Sequence, residues 1–326
     1  MQGKIAFEEH FAVEETLEET KAFAGDSGQF DVFQRQILDL ETERLERMDA
    51  NGIALAILSL NAPGVQRITD SGLALEIAQK ANAAMTAAVE KHPSRYRAFA
   101  ALPMHNAKIA ADELKRTVEQ HGFKGCMLNG FQQMGDGREV KYYDQPEYHD
   151  FWATVAELDV PVYLHPRMQI PSRAQNYEGH PWLMSAPWGF AVETSIHALR
   201  LCGSGIFEQF PELKICLGHL GENIPFGLGR LDDRMRFSPR GYRGKRPLGD
   251  YFKENFHITT SGNFHNEPFR CTLDVLDPDK VYFSSDYPFE AMEYGCGWFD
   301  STDEISAEQK LAIGRNNAIR LFKLEL

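Results

Sequence analysis

The chain has 326 residues, of which 43% are hydrophobic, and this is enough to form a large buried core. Its 34 basic and 47 acidic residues give a net charge of −13, which argues against nucleic acid or an anionic membrane as a partner. The five cysteines are scattered without a CxxC pair, and no stretch of about 18 apolar residues occurs. We therefore expect a reduced, cytoplasmic protein with neither a signal peptide nor a membrane span.

Eight short and mostly apolar runs alternate with helical patterns, which is typical of βα units around a parallel sheet. In chain order they lie at residues 4–10, 53–60, 96–104, 123–131, 160–166, 213–220, 256–262 and 280–288. Eight strands with eight crossovers favour a closed (β/α)8 TIM-type barrel. An open doubly wound sheet is the alternative, but no GxGxxG motif follows the first run. We expect a single domain over residues 1–326, because barrels of this fold commonly reach that size.

Helical patterns fill the intervals between the runs. Apolar residues repeat at steps of three and four through residues 71–91, and a similar stripe covers residues 37–48. The last pattern begins at Ser306, three residues before Gln309, which predicts a capping box at the start of the final helix.

Three connections are longer than a barrel needs, at residues 11–32, 132–146 and 167–190, and all three follow strands. Segments that follow strands lie at the C-terminal face of a barrel, where the active sites of this fold are built. A fourth stretch, residues 234–253, is rich in arginine and lysine, and we interpret it as a solvated or subunit-contacting surface.

Polar residues gather at the C-terminal ends of four predicted strands. They are Glu8 and His10 in the first run, His165 in the fifth, His219 in the sixth and Asp286 in the eighth. Side chains alternate along a strand, so Glu8 and His10 point the same way, into the mouth of a barrel. A single histidine after an apolar run is more often structural, but burying the whole set would be costly without a shared partner. A metal ion is such a partner, and a site of two imidazoles and two carboxylates suits Mn²⁺ or Zn²⁺.

The joint spacing of these motifs resembles the metal signature of the amidohydrolase superfamily. It is more closely similar to the decarboxylase branch, the family of 2-amino-3-carboxymuconate semialdehyde decarboxylase. The motifs are Glu8-x-His10, His165 in YLHP, His219 with Glu222 in GHLGE, and Asp286 in SSDYP. The resemblance covers essentially the whole chain, and the segments MQGKIAFEEH, ENFHITTSGNF and NAIRLFKL are most similar to the γ-resorcylate (2,6-dihydroxybenzoate) decarboxylases of that branch.

The resemblance implies one divalent metal ion per chain, with Mn²⁺ expected and Zn²⁺ as the alternative, and no organic cofactor. Its implied ligands are Glu8, His10, His165 and Asp286. The fourth run ends in Leu128-Asn129, without the lysine that bridges two metals in many hydrolases of the superfamily. A site for a single metal follows from that departure.

The resemblance also implies a set of catalytic and substrate-binding residues. Asp286 is the expected proton donor, supported by His219 and Glu222, and the expected substrate contacts are His10, Arg230, Phe23 and Phe289. His219 is a rival donor, because a carboxylate that touches a cation has a lowered pKa. Other interpretations stay open: Glu222 can serve the N-terminus of the following helix, Arg230 can pair with Asp232 or Asp233, and the phenylalanines can be packing residues.

The reaction implied by the resemblance is the reversible, non-oxidative decarboxylation of 2,6-dihydroxybenzoate to resorcinol and CO2, by a homodimer or homotetramer. Decarboxylases of 2,3-dihydroxybenzoate, orsellinate and 5-carboxyvanillate share this scaffold, so these acids are alternative substrates. The residues alone also allow an amide or lactone hydrolase that uses the same metal to activate water. A non-catalytic barrel is disfavoured by the complete set of metal-ligand residues.

Overall fold

The computed structural model describes residues 1–18, 20 and 30–326. All eight predicted runs contain a strand, and an additional antiparallel hairpin, β5–β6, lies in the connection after β4. The strands of the described residues are β1 (Lys4–Phe11), β2 (Ile53–Leu60), β3 (Tyr96–Ala98), β4 (Cys126–Asn129), β5 (Gln132–Met134), β6 (Glu139–Lys141), β7 (Val162–His165), β8 (Ile215–Leu217), β9 (Phe256–Thr259) and β10 (Val281–Tyr282).

The eight parallel strands form two sets that meet at both ends. One set has the order β1-β2-β3, and the other has the order β10-β9-β8-β7-β4. A backbone hydrogen bond from Ala100 N to Gly125 O (2.9 Å) joins the segment after β3 to the segment before β4. Another, from Asp286 N to Glu8 O (3.1 Å), joins the segment after β10 to β1. The strands therefore follow one another around a ring, as expected for the (β/α)8 barrel.

Helices surround the ring. The α-helices of the described residues are α1 (Glu14–Leu17), α2 (Phe30–Leu38), α3 (Glu43–Ala50), α4 (Ser71–Lys91), α5 (Ala107–His121), α6 (His149–Leu158), α7 (Gly189–Ser204), α8 (Ile206–Gln209), α9 (Ile224–Phe237), α10 (Leu248–Asn255), α11 (Asn266–Val275), α12 (Met292–Ser301), α13 (Ala307–Leu311) and α14 (Asn317–Phe322). Within this part of the chain, no helix has the length and apolar character needed to cross a membrane.

Helix boundaries follow from local side chains. The predicted stripe at residues 37–48 is divided between α2 and α3, because Asp39 accepts hydrogen bonds from backbone N–H groups at the start of α3, including that of Arg44 at 2.8 Å. The predicted capping box of Ser306 and Gln309 is present at the N-terminus of α13. A π-helical segment, Ala312–Asn316, separates α13 from α14.

An aromatic cluster fills the barrel below the mouth. The ring of Phe7 in β1 lies 6.0 Å from that of Tyr163 in β7 and 5.3 Å from that of Tyr282 in β10. The ring of Phe322 in α14 lies 4.9 Å from Phe7. Because aromatic side chains fill this end of the barrel, a polar site for a ligand is expected at the opposite, C-terminal mouth.

Candidate functional site

Four side chains of metal-ligand type converge at the C-terminal mouth of the barrel. Glu8 and His10 come from β1, His165 ends β7, and Asp286 follows β10. One ligand atom from each residue lies within 4.8 Å of the ligand atoms of the others, and all four residues are buried. The fold thus brings together the four residues for which the sequence predicted metal binding, and we call them the ligand cluster.

The ligand cluster has the properties of a cation site. Glu8 Oε1 lies 3.3 Å from His165 Nε2, and His10 Nε2 lies 3.3 Å from Asp286 Oδ1. Within the described ranges, Glu8 Oε1 and His10 Nε2 are buried without a hydrogen-bond partner, which is costly for polar atoms. One divalent ion would satisfy both atoms, and the mixed nitrogen and oxygen donor set fits Mn²⁺ or Zn²⁺.

Neighbouring groups orient the ligand atoms. His165 Nδ1 donates to the carbonyl oxygen of Pro166 at 2.9 Å, so Nε2 can turn its lone pair toward the cluster. Glu8 Oε2 accepts hydrogen bonds from the Tyr163 hydroxyl and from Thr259 Oγ1 at 3.2 Å. These contacts leave Oε1 as the Glu8 atom available to a metal.

Electrostatics keep the two carboxylates of the cluster ionised. Burial raises the pKa of Glu8, but His219, His165 and His10 outweigh it and hold this pKa well below its ordinary value. Burial likewise raises the pKa of Asp286, and the nearby imidazoles of His10 and His219 bring it below its ordinary value. Both groups therefore take the anionic form that binds a cation.

His219 and Glu222 form a pair at the edge of the ligand cluster. His219 Nδ1 donates to Glu222 Oε1 at 2.9 Å, and His219 Nε2 lies 3.7 Å from Asp286 Oδ2. Burial lowers the pKa of His219, but Glu222, Glu8 and Asp286 raise it well above its ordinary value. The imidazole thus presents a proton toward Asp286, while its other ring nitrogen is held by the Glu222 carboxylate.

The backbone at these positions is strained. The φ angles are 54° at His219, 60° at Glu222 and 65° at Asp286. These values lie in the left-handed region, which residues other than glycine rarely adopt. Strain of this kind costs of order 1–3 kcal/mol per residue and clusters at functional sites. The three residues are the acid–base groups that the sequence singled out.

A cavity of about 380 Å³ opens beside the cluster, which suits one aromatic ring. Its lining combines two members of the cluster with residues from the segments after four strands, β2, β7, β8 and β10. These residues are Ala62, His165, Ser185, Ala186, Pro187, Phe190, His219, Asp286, Phe289 and Glu290. A second cavity of about 250 Å³ adjoins it and shares His219, Asp286 and Glu290. We call these the main cavity and the side cavity.

The predicted substrate contacts are placed differently from one another. Phe289 lines the main cavity, with its ring 5.4 Å from that of His10. Phe23 lies outside the described residues. Arg230 is exposed on α9 and lines neither cavity, and Asp233 pairs with Arg236 at 2.8 Å.

Two polar residues of the main cavity, Ser185 and Glu290, were not predicted from the sequence. Ser185 lies in the long connection after β7, which was expected at the mouth without any residue being singled out. Glu290 stands four positions after Asp286 in the segment SSDYPFE, and this proximity to a predicted ligand was the available signal.

Comparisons with known proteins agree with this architecture. A family model described as amidohydrolase matches residues 44–324. Gamma-resorcylate decarboxylase from Rhizobium sp. (strain MTP-10005) is 47% identical over 329 residues, covering 100% of this chain and 99% of the relative. The crystal structure of 2,6-dihydroxybenzoate decarboxylase complexed with 2,6-dihydroxybenzoate has a TM-score of 0.97 and 47% identity, covering 99% of this chain and 100% of that one. A dihydroxybenzoic acid decarboxylase from Polaromonas sp. JS666, with bound manganese and the inhibitor 2-nitroresorcinol, has a TM-score of 0.97 and 46% identity, with coverages of 99% and 98%.

Proposed function

The chain belongs to the amidohydrolase family, and from this premise we propose that it is a metal-dependent decarboxylase that converts 2,6-dihydroxybenzoate to resorcinol and CO2. The observation that carries the proposal is the ligand cluster beside a cavity of about 380 Å³. Full-length relatives at 47% identity that bear the name of this activity support the choice of substrate.

Glu8, His10, His165 and Asp286 would hold one Mn²⁺ per chain, with Zn²⁺ as the alternative. Manganese in the Polaromonas structure supports this choice. When bound, the ion supplies the positive charge and Lewis acidity that hold a ring carboxylate together with an ortho hydroxyl oxygen. His10 would contact the substrate from the same cluster.

The chain's own residues supply the proton. Loss of CO2 directly from an aromatic ring would leave an electron pair in the ring plane, so the ipso carbon is protonated first. Asp286 Oδ1 faces His10 and Oδ2 faces His219, and we assign to Asp286 the role of taking a proton from His219 Nε2 and delivering it to the ipso carbon. The carbon–carboxylate bond then breaks, its electron pair restores the aromatic ring, and CO2 leaves. Such general acid catalysis contributes roughly 10²- to 10⁴-fold.

Glu222 holds His219 in its protonated form through their hydrogen bond of 2.9 Å. The lowered pKa of Asp286 makes His219 the alternative donor, acting on the ring directly. The two assignments differ in whether Asp286 carries the proton at all.

Phe289 and Phe23 are proposed to pack against the ring. The exposed position of Arg230 means that its proposed substrate contact requires α9 to approach the mouth or a neighbouring copy to present it. A homo-oligomer, a dimer or a tetramer, is part of the proposal, and the exposure of Phe226 (92%) and Phe237 (73%) on α9 supports it.

We also propose that residues 1–326 act as one catalytic domain, since the ligand cluster takes residues from the first strand and from the segment after the last. A cytoplasmic location is proposed because all five cysteines are free and four of them are buried.

The test is product analysis with the Mn²⁺-loaded protein. Incubation with 2,6-dihydroxybenzoate should release equal amounts of CO2 and resorcinol, and excess bicarbonate should carboxylate resorcinol, because each step runs backward through the same groups. The His165→Ala variant is the control for metal-dependent turnover. Hydrolysis of lactones or amides without CO2 release from any hydroxybenzoate would contradict the proposal and favour a hydrolase.

A further inference from the structure

Glu290 is a half-buried carboxylate at the boundary between the main and side cavities, and it lines both. Its backbone N–H donates to the carbonyl oxygen of Asp286 at 3.0 Å. The turn that places Asp286 therefore also places Glu290, four residues later. Two carboxylates thus border the same space, one in the ligand cluster and one outside it.

The Glu290 carboxylate makes no hydrogen bond and no ion pair with the part of the chain that the structure describes. Nearby carboxylates differ in this respect: Glu222 pairs with His219 at 2.9 Å, and Glu293 pairs with Arg47 at 2.7 Å. A partly buried carboxylate without a partner is costly, and a donor on a ligand would remove that cost. The position of Glu290 therefore indicates a ligand contact.

The proposed substrate offers such a donor. 2,6-Dihydroxybenzoate carries a hydroxyl on each side of its carboxylate, and binding of the carboxylate with one ortho oxygen leaves the second hydroxyl in need of an acceptor. We propose that Glu290 accepts a hydrogen bond from this second hydroxyl and thereby determines substrate specificity. This inference rests on the function proposed above and assigns to that site a residue selective for the second hydroxyl.

The charge of Glu290 adds a second level of selection. Glu290 repels a carboxylate on the ring, whereas the divalent ion that the ligand cluster would hold attracts it, so the substrate enters with its carboxylate toward the cluster. A ring that carries a carboxylate in place of the second hydroxyl, as 3-hydroxyphthalate does, is excluded. A ring with a hydrogen atom in place of the second hydroxyl leaves Glu290 without a hydrogen-bond donor. A site with a buried acceptor for a hydroxyl discriminates against such a substrate.

Two variants separate these effects. Glu290→Leu removes both the acceptor and the charge, whereas Glu290→Gln keeps an acceptor and removes the charge. Glu293→Gln, in α12 and outside both cavities, is the matched control. The Mn²⁺-loaded proteins are assayed with 2,6-dihydroxybenzoate and 2-hydroxybenzoate, and their dissociation constants for resorcinol and phenol are measured by calorimetry.

Glu290→Leu should lower kcat/KM for 2,6-dihydroxybenzoate at least about tenfold more than for 2-hydroxybenzoate, as expected for loss of a charged hydrogen bond. It should also bring the dissociation constants of resorcinol and phenol together, which a merely structural role would not do. Glu290→Gln should bind 3-hydroxyphthalate more tightly than the wild type does. This binding measurement tests the inference even if the leucine variant does not fold.

Equal losses on both substrates in Glu290→Leu, or unchanged binding of 3-hydroxyphthalate by Glu290→Gln, would overturn the inference alone. Absence of 2,6-dihydroxybenzoate turnover in the wild type would overturn the proposed function and the inference with it.

Discussion

Gly262, which follows β9, touches both acid–base side chains of the site. A Cβ atom at this position would lie 2.7 Å from His219 Cδ2 and 2.8 Å from Asp286 Oδ2. Unstrained contacts between such atoms need about 3.5 Å, so Gly262→Ala must displace the two side chains by roughly 0.7 Å. The backbone φ of +63° adds strain of about 1–2 kcal/mol for any side chain.

A displacement of this size at the proton donor should lower kcat/KM for 2,6-dihydroxybenzoate by about 10²-fold. The assay is CO2 release by the Mn²⁺-loaded variant, with metal content and thermal unfolding measured on the same preparation. Gly122→Ala at the C-terminus of α5 is the control, because its φ is +68° and no atom lies within 4 Å of the added Cβ. It should be destabilised to a similar degree and keep wild-type activity.

A kcat/KM of Gly262→Ala within about twofold of the wild-type value would place proton transfer elsewhere. An equal loss of activity in Gly122→Ala would show that backbone strain alone explains the effect.

Three further predictions address the metal, the acid and the pH dependence of stability. His10→Ala and His165→Ala should each lose the bound metal by elemental analysis, and unchanged binding in both, or two ions per wild-type chain, would contradict the single-metal assignment. Asp286→Asn should reduce turnover more than Arg230→Ala, because it removes a ligand and the proposed donor. Substantial turnover by metal-loaded Asp286→Asn would assign proton donation to another group. Burial lowers the pKa of His257 from 6.5 to about 3, so the unfolded chain binds more protons between these values. The free energy of unfolding should therefore fall as the pH drops from about 6.5 toward 3, more steeply in the wild type than in His257→Gln, and equal slopes in urea denaturation would contradict this.

The strands and the ligand cluster could be predicted because their signals are local. The apolar run at residues 4–10 contains β1, and alternation along it placed Glu8 and His10 on one side, where the structure brings both to the mouth. The rule that parallel strands end at one face then grouped them with His165 and Asp286. The barrel is confirmed, whereas the catalytic roles of the site residues stay predictions.

The remaining features depend on contacts between distant parts of the chain. The break between α2 and α3 depends on the Asp39 carboxylate, which accepts hydrogen bonds at the start of α3. The apolar periodicity of the sequence does not reveal such a contact. The position of Glu290 depends on the turn after Asp286, and the φ of 65° at Asp286 does not follow from the residue type alone. The placement of Arg230 outside both cavities follows from the orientation of α9 on the barrel, which spacing along the chain leaves open.

The proposed mechanism requires a substrate carboxylate that has a hydroxyl beside it. The most direct test compares CO2 release from 2,6-dihydroxybenzoate, 4-hydroxybenzoate and benzoate by the Mn²⁺-loaded protein. We predict turnover of the first and rates at least about 10²-fold lower for the other two, since without the ortho oxygen the ring is misplaced from the acid. Comparable rates on 4-hydroxybenzoate would contradict this mechanism.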